Sequence, residues 1–269
     1  MPDVLEHLYD GIATLTLNRP DRFNAFDVPF ITEFRRVFED YIKRPEVEGV
    51  VISGAGRAFC AGGDVSAMRD HLEKNPKQLF LDLTGQFHPV IQGIRKTPKP
   101  VVAAINGAAA GGGYGLAVAC DLRIAAPEAR FQPAYSRLGI VPDGGLTFFL
   151  PRMLGLGHAQ RIILRDDVVM SEEALRLGLV DRIVPQAELV STAVADCRRL
   201  ANQPPDSFRL TKELLAHSMM ADLDAQLDRE RRRIALAGSL PTLKEGIDAF
   251  FEKREPNFRQ RKVAITKPR

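Results

Sequence analysis

Two stretches place glycine where a strand runs into a helix, the point from which backbone N–H groups can reach a ligand. INGAAAGGGYGLAVACD (105–121) passes from a short apolar run through three consecutive glycines into an apolar stretch of helical length. GRAFCAGGDVSAM (56–68) runs from a strand through small residues into a helix that Asp64 would cap. Glycine at a helix start has two uses. It lets two backbones pack closely, or it leaves bare N–H groups at a positive helix end for an anion to touch. Taken alone, the first stretch supports both readings equally. A second such turn shifts the balance, because two N–H groups aimed at one oxygen make an oxyanion hole.

Other chemistries find no support in the residue pattern. Gly111 and Gly113 satisfy the first pair of a G-x-G-x-x-G dinucleotide loop, but the third position is Leu116; from Gly113 and Gly115 it is Val118. No Lys-Ser/Thr follows the glycines, so there is no P-loop, and no G-x-S-x-G nucleophile elbow occurs. Cys60, Cys120 and Cys197 fall in no metal or redox spacing, and the histidines at 7, 71, 88, 158 and 217 include no i,i+4 pair. No metal site is expected. A net charge of +3 without an arginine-rich or aromatic RNA-binding stretch argues against nucleic acid as a partner. The absence of an 18-residue apolar run argues against a membrane span. With an odd cysteine count and an N-terminus lacking a secretory apolar region, a cytoplasmic location is expected.

The elements that must position these turns follow from period and punctuation. LEHLYDGIATLTLNRP reads as two strands joined at Asp10-Gly11, a strong hairpin signal. Asp27 is placed to cap a helix with Phe30, Phe34, Val37, Phe38 and Tyr41 at helical spacing. GVVISGAG is a buried strand, DVSAMRDHLEK a helix, and QLFLDLTGQFHPVIQGIRKT a helix that Pro98 and Pro100 stop before the strand VVAAIN. LRIAAPEARFQ reads as strand, turn and strand; GLTFFLPRMLG and SEEALRLGLV read as helices, and VDRIV as a last strand. From Pro204 onward the chain is helical and charged. Strand–strand–helix units thus recur, and the chain is expected to form an α/β core over 1–200 with a C-terminal helical subdomain over 201–269.

AFCAGGDVSAM, KPVVAAINGAAAGGG, ACDLRIAAPEARF, EALRLGLVDRIVP and FFEKREPNF together resemble, in order and spacing, the enoyl-CoA hydratase/isomerase (crotonase) family. The resemblance covers nearly the whole chain. It implies a crotonase-type spiral of strand–strand–helix repeats, C-terminal helices for trimerisation, and coenzyme A thioester substrates, with no cofactor beyond the coenzyme A of the substrate. It also implies that the two glycine turns bind the thioester carbonyl and stabilise an enolate, with the N–H groups of Gly63 and Gly112 as donors.

The acid and base residues decide which reaction follows. Hydratases of the family carry one glutamate at the position of Gly115 and a second at the position of Tyr135, and both carboxylates are missing here. Adding water to a double bond requires a deprotonated water on one carbon and a proton for the other. Tyrosine, with an ordinary pKa near 10, is a poor base at neutral pH. One carboxylate remains in the expected pocket: Asp143, in GIVPDGGLTFF. On its own it reads as a helix cap. Family members that shift double bonds carry an acid at this position, so the resemblance assigns Asp143 the acid–base role. A double-bond isomerase is therefore the expected activity, with hydration through a water held by Asp143, or a non-catalytic acyl-CoA- or protein-binding module, as alternatives.

The resemblance extends to the rest of the substrate. Arg22 and Ala25 in NRPDRFNAFD, Ala61 beside the first donor, and Phe250 and Lys253 in FFEKREPNF match positions that contact coenzyme A. Met68, Phe80, Leu83 and Phe87 are candidates for the acyl pocket, with core packing an equal alternative, and the resemblance places Gly115 and Tyr135 in the same pocket. A homotrimer or hexamer is expected.

Overall fold

The computed structural model describes residues 2–218 and 220–258. By contact the chain divides into two units, one ending at Cys197 and a helical one beginning at Arg198. In chain order the first contains β1 (Val4–Tyr9), β2 (Ile12–Leu17), α1 (Val28–Lys43), β3 (Gly49–Gly54), β4 (Ala58–Cys60), α2 (Val65–Arg69) and α3 (Pro76–Lys96). There follow β5 (Val101–Ile105), β6 (Ala108–Ala110), α4 (Gly112–Ala119), β7 (Leu122–Ala125), β8 (Arg130–Gln132), α5 (Leu146–Leu154), α6 (Leu156–Arg165), β9 (Val169–Met170), α7 (Ser171–Arg176) and β10 (Arg182–Ile183). Helix α8 (Leu189–Ala201) begins in this unit, and α9 (Pro205–Ser218), α10 (Leu223–Gly238) and α11 (Pro241–Glu252) belong to the second.

The strands sort into two sheets in a way that explains the repeat. One sheet has the order β1-β2-β3-β5-β7-β10 and the other β4-β6-β8-β9. Each of the pairs β3–β4, β5–β6 and β7–β8 therefore lays one strand in each sheet before the chain leaves. The β1–β2 and β8–β9 pairs are antiparallel and the remaining pairs parallel. This is an α/β architecture built of recurring strand–strand–helix units, as the sequence implies. Its parallel strands are buried on both faces, which is why β3 and β5 read as continuous apolar runs rather than alternating ones.

Local chemistry sets the element ends. Asp10 and Gly11 both have positive φ, 47° and 77°, as the tight turn between β1 and β2 requires. Asp27 caps α1 by accepting from Phe30 N–H at 2.9 Å. Phe30, Phe34 and Phe38 on one face of that helix are fully buried, each stabilising by about 1.5–3 kcal/mol. DVSAMRDHLEK forms a shorter helix than its spacing implies, since α2 ends at Arg69.

Helix α3 carries Pro89 in its interior, which removes the hydrogen bond that Gly85 C=O would otherwise accept. Arg35 of α1 takes over that carbonyl at 3.4 Å and also donates to Gln86 Oε1 at 3.1 Å. Phe87 and His88 sit on the turn so affected. Among the described residues no helix is long and apolar enough to cross a membrane.

Candidate active site

The two glycine turns meet. Gly62 has φ of 87°, and a Cβ there would lie 2.8 Å from Ala110 O and 3.0 Å from Gly112 N. Only glycine fits, for both conformation and space. The turn before β4's partner helix is held by Phe26, whose N–H donates to Gly62 O at 2.6 Å and whose C=O accepts from Asp64 N–H at 2.9 Å. Asp64 caps α2, accepting from Ser66 and Ala67 N–H at 2.9 and 3.2 Å. Burial pushes its carboxyl pKa up, but those N–H groups and Arg22 outweigh it and hold the pKa below the usual value.

The three glycines of the second turn divide the work. Gly111 takes φ of 52°, Gly112 opens α4, and a Cβ on Gly113 would lie 2.0 Å from Cys60 O. Gly113 thus serves close packing, one of the two uses open from the sequence. Gly112, as the first helical residue, has no acceptor for its N–H inside the helix. Among the described residues, neither Gly63 N–H nor Gly112 N–H donates to another protein group. Beneath the turns, burial pushes the Cys60 thiol up to about 12, so it packs as a neutral group.

Both turns line a cavity of about 700 Å³. Gly63, Gly112, Ala61, Met68, Phe80, Leu83, Phe87, Tyr135 and Asp143 all border it. The segment from β8 to α5 forms one of its walls. Asp143 does not cap α5: the N-cap is Gly145, without a side-chain cap bond. The carboxylate instead meets His88 of α3, Oδ1 to Nε2 at 2.6 Å. Tyr135 is 7% exposed and its hydroxyl donates to Asp143 C=O at 3.3 Å. Burial raises the Tyr135 pKa far above the ordinary tyrosine value, so the ring is a neutral donor that fixes the Asp143 turn.

Gly115 is placed elsewhere. It does not border the cavity, and a Cβ there would lie 2.7 Å from Gly144 O and 3.1 Å from Gly144 C. This corrects its assignment as a pocket residue: helix α4 presses its backbone against the Asp143–Gly144 turn. Gly115→Glu is accordingly expected to lower stability by at least the roughly 1–3 kcal/mol of an overpacked core, without gain of hydration. Chemical denaturation, together with the loss of enoyl-thioester absorbance from a 2-enoyl-CoA, measures both. A stable variant that hydrates well above the native rate contradicts it.

Arg22 and Ala25 also lie outside the cavity lining. Arg22 pairs with Asp64 at 3.0 Å and stays half exposed, whereas Ala25 is buried. Phe250 is exposed on α11, and Lys253 ends that helix with φ of 53°. Of the basic C-terminal tail, 259–269 lie outside the described residues.

Two residues of the site escaped the sequence reading. His88 carried no motif, and its partner is 55 positions away. Asp166 is a second carboxylate bordering the cavity, so Asp143 is not the sole acid there. Asp166 accepts from Ala134 N–H at 2.6 Å and Gln132 Nε2 at 3.2 Å, and pairs with Arg137 at 3.3 Å. With those partners it holds the Ala134 turn, where φ is 58°. A faint signal existed in the adjacent Asp166-Asp167, since Asp tolerates the left-handed conformation that ends α6.

Two glycine turns carried by strand–strand–helix units, each leaving one backbone N–H without a protein acceptor among the described residues, thus face one cavity. The chain matches the enoyl-CoA hydratase/isomerase family over residues 7–261, and it belongs to that family. It is 35% identical to the 1,2-epoxyphenylacetyl-CoA isomerase of Escherichia coli (strain K12), over 96% of this chain and 98% of that one. It is 34% identical to the short-chain-enoyl-CoA hydratase of Clostridium acetobutylicum, over 91% and 92% respectively. The fold matches an enoyl-CoA hydratase from Polaromonas sp. JS666 with a TM-score of 0.89 at 31% identity, over 94% of this chain and 98% of that one. The protein is thus an enzyme of a family that acts on acyl-CoA thioesters, with relatives named for both isomerisation and hydration.

Proposed function

We propose that this enzyme shifts the double bond of an enoyl-CoA thioester. The N–H groups of Gly63 and Gly112 hold the thioester oxygen. The Asp143 carboxylate takes a proton from C2 of a 3-enoyl-CoA, the C–H electron pair moves into a dienolate, and the same carboxyl returns a proton to C4. The observation that carries this reading is the position of Asp143: its side chain leaves the helix end and borders the cavity shared with both glycine turns. Gly115 adds support, because its packing against Gly144 leaves no room for the first hydratase glutamate. In this reading Arg22, Ala25 and Ala61 contact coenzyme A, Phe250 and Lys253 reach it from a neighbouring subunit, and no further cofactor takes part.

The test is a panel of 3-enoyl-, 2-enoyl- and aryl-acyl-CoA thioesters, including 1,2-epoxyphenylacetyl-CoA, with products identified by mass and ultraviolet spectra. A mass-neutral shift of a 3-enoyl-CoA to its conjugated isomer supports the proposal; the gain of one water by a 2-enoyl-CoA in its place overturns it. Hydration by a water held at Asp143 is the second reading, favoured by the hydratase names among the relatives.

A homotrimer or hexamer is part of the same proposal. Helices α10 and α11 expose Leu223, Ile234, Phe250 and Phe251, each more than 70% accessible in the single chain. Cyclic closure would cover such faces without leaving an open interface. Light scattering at micromolar concentration reads the mass, and a stable monomer removes this claim.

A further inference from the structure

The backbone of the Asp143 turn is held from several sides. The Asp143 carbonyl accepts from the Tyr135 hydroxyl at 3.3 Å and from Leu146 N–H at 3.2 Å. Gly144, with φ of 63°, is closed in by two helices: a Cβ on Gly115 of α4 would lie 2.7 Å from its carbonyl oxygen, and its own Cβ would lie 2.6 Å from Phe87 Cε1 of α3. The carboxylate has a single holder. Among the described residues only His88 bonds it, Nε2 to Oδ1 at 2.6 Å, and Oδ2 has no hydrogen-bond partner. The side chain is 34% exposed at the edge of an open cavity, so burial does not fix its rotamer.

Two alternatives compete for a carboxylate released at this position. One is water. The other is the start of α5 at Leu146, where the helix dipole favours an anion. No side chain caps that end, and among the described residues Thr147 N–H in its first turn has no acceptor. Capping is the ordinary use of an Asp just before a helix, and here it would turn the base toward the helix end.

We propose that His88 positions Asp143 for catalysis: its Nε2–H holds Oδ1, which keeps the carboxylate off the helix end and leaves Oδ2 to handle the substrate proton. This rests on the acid–base role of Asp143 put forward above. An ionised carboxylate has only acceptors, so Nε2 carries the hydrogen and donates it. The same tautomer serves the other state. Once Oδ2 has taken the proton from C2, Oδ1 is the carbonyl oxygen of the acid and still accepts from Nε2–H. The bond persists while Oδ2 gives its proton to C4 and the carboxylate is restored, and no proton passes through the imidazole. His88 does not border the cavity, so it acts through Asp143 alone and is a positioning residue. Its side chain is half exposed and, among the described residues, no protein group bonds its Nδ1, so removing the ring breaks no other hydrogen bond.

The experiment measures initial rates on the productive 3-enoyl-CoA, with a thermal denaturation curve for each protein. His88→Ala is expected to lose roughly tenfold to a hundredfold in kcat, the scale of a misaligned reacting group, with KM and melting temperature close to native. His88→Gln carries an amide N–H at the reach of Nε2 and should recover most of that loss. In an Asp143→Asn background His88→Ala should cost nothing further, because the group it acts through is no longer a base. Native kcat in His88→Ala, a His88→Gln as slow as His88→Ala, or an equal loss in both backgrounds overturns the positioning role and leaves the isomerase reading standing. A loss confined to KM, or early melting of both His88 variants in step with their rates, overturns it as well. Full turnover by Asp143→Asn, or no shift of the double bond by the native enzyme, overturns the isomerase reading and this inference with it.

Discussion

Asp143→Asn is expected to lose about 10²–10⁴ in kcat, the usual contribution of a positioned acid–base group. Its stability should stay within about 0.5 kcal/mol of the native protein, the range for a substitution that breaks no cap, core contact or buried network. The reason is geometric. The side chain does not cap α5, it is partly accessible, and asparagine keeps its size and a polar contact for His88. In heavy water the variant should also fail to place deuterium on the carbon next to the thioester. Initial rates on the productive 3-enoyl-CoA, with a denaturation curve for each protein, make the comparison. A variant that melts early yet keeps its specific activity would make Asp143 a structural residue and end the isomerase mechanism.

Gly112→Pro should lose about 10²–10³ in kcat, or roughly 2.7–4 kcal/mol of transition-state stabilisation, the cost of deleting one oxyanion donor. Proline removes the N–H, and its ring is tolerated at the first position of a helix. Gly112 holds that position in α4. Gly112→Ala separates the donor from the glycine, because it keeps the N–H and its Cβ would lie 3.5 Å from Phe87 Cε1, an ordinary contact. Circular dichroism establishes that both variants fold. Near-native turnover by a folded Gly112→Pro would show that this N–H does not bind the thioester oxygen.

The local elements were legible in the sequence because their causes are local. The Asp10-Gly11 turn needs two residues that tolerate positive φ, and the caps at Asp27 and Asp64 need a short acceptor three residues or fewer from the N–H it binds. The strand–strand–helix recurrence could be read from apolar runs and their punctuation, and the family from motifs spread over most of the chain. Met68, Phe80, Leu83 and Phe87, which the sequence left open between pocket and core packing, all line one cavity.

What lay beyond the sequence involves contacts between distant segments. Whether Asp143 caps its helix or leaves it depends on His88, which α3 delivers from 55 residues away. Gly115 looks like an empty catalytic position in the sequence, and becomes a packing residue once α4 meets Gly144. The three adjacent glycines look interchangeable, yet β4 closes on Gly113 while Gly112 is left with a free donor. Residue types and spacing specify what each short segment can form, since those preferences act over one or two helical turns. Which carboxylate faces a cavity, and which glycine faces a backbone, is decided only when segments far apart in the chain compete for the same few ångströms.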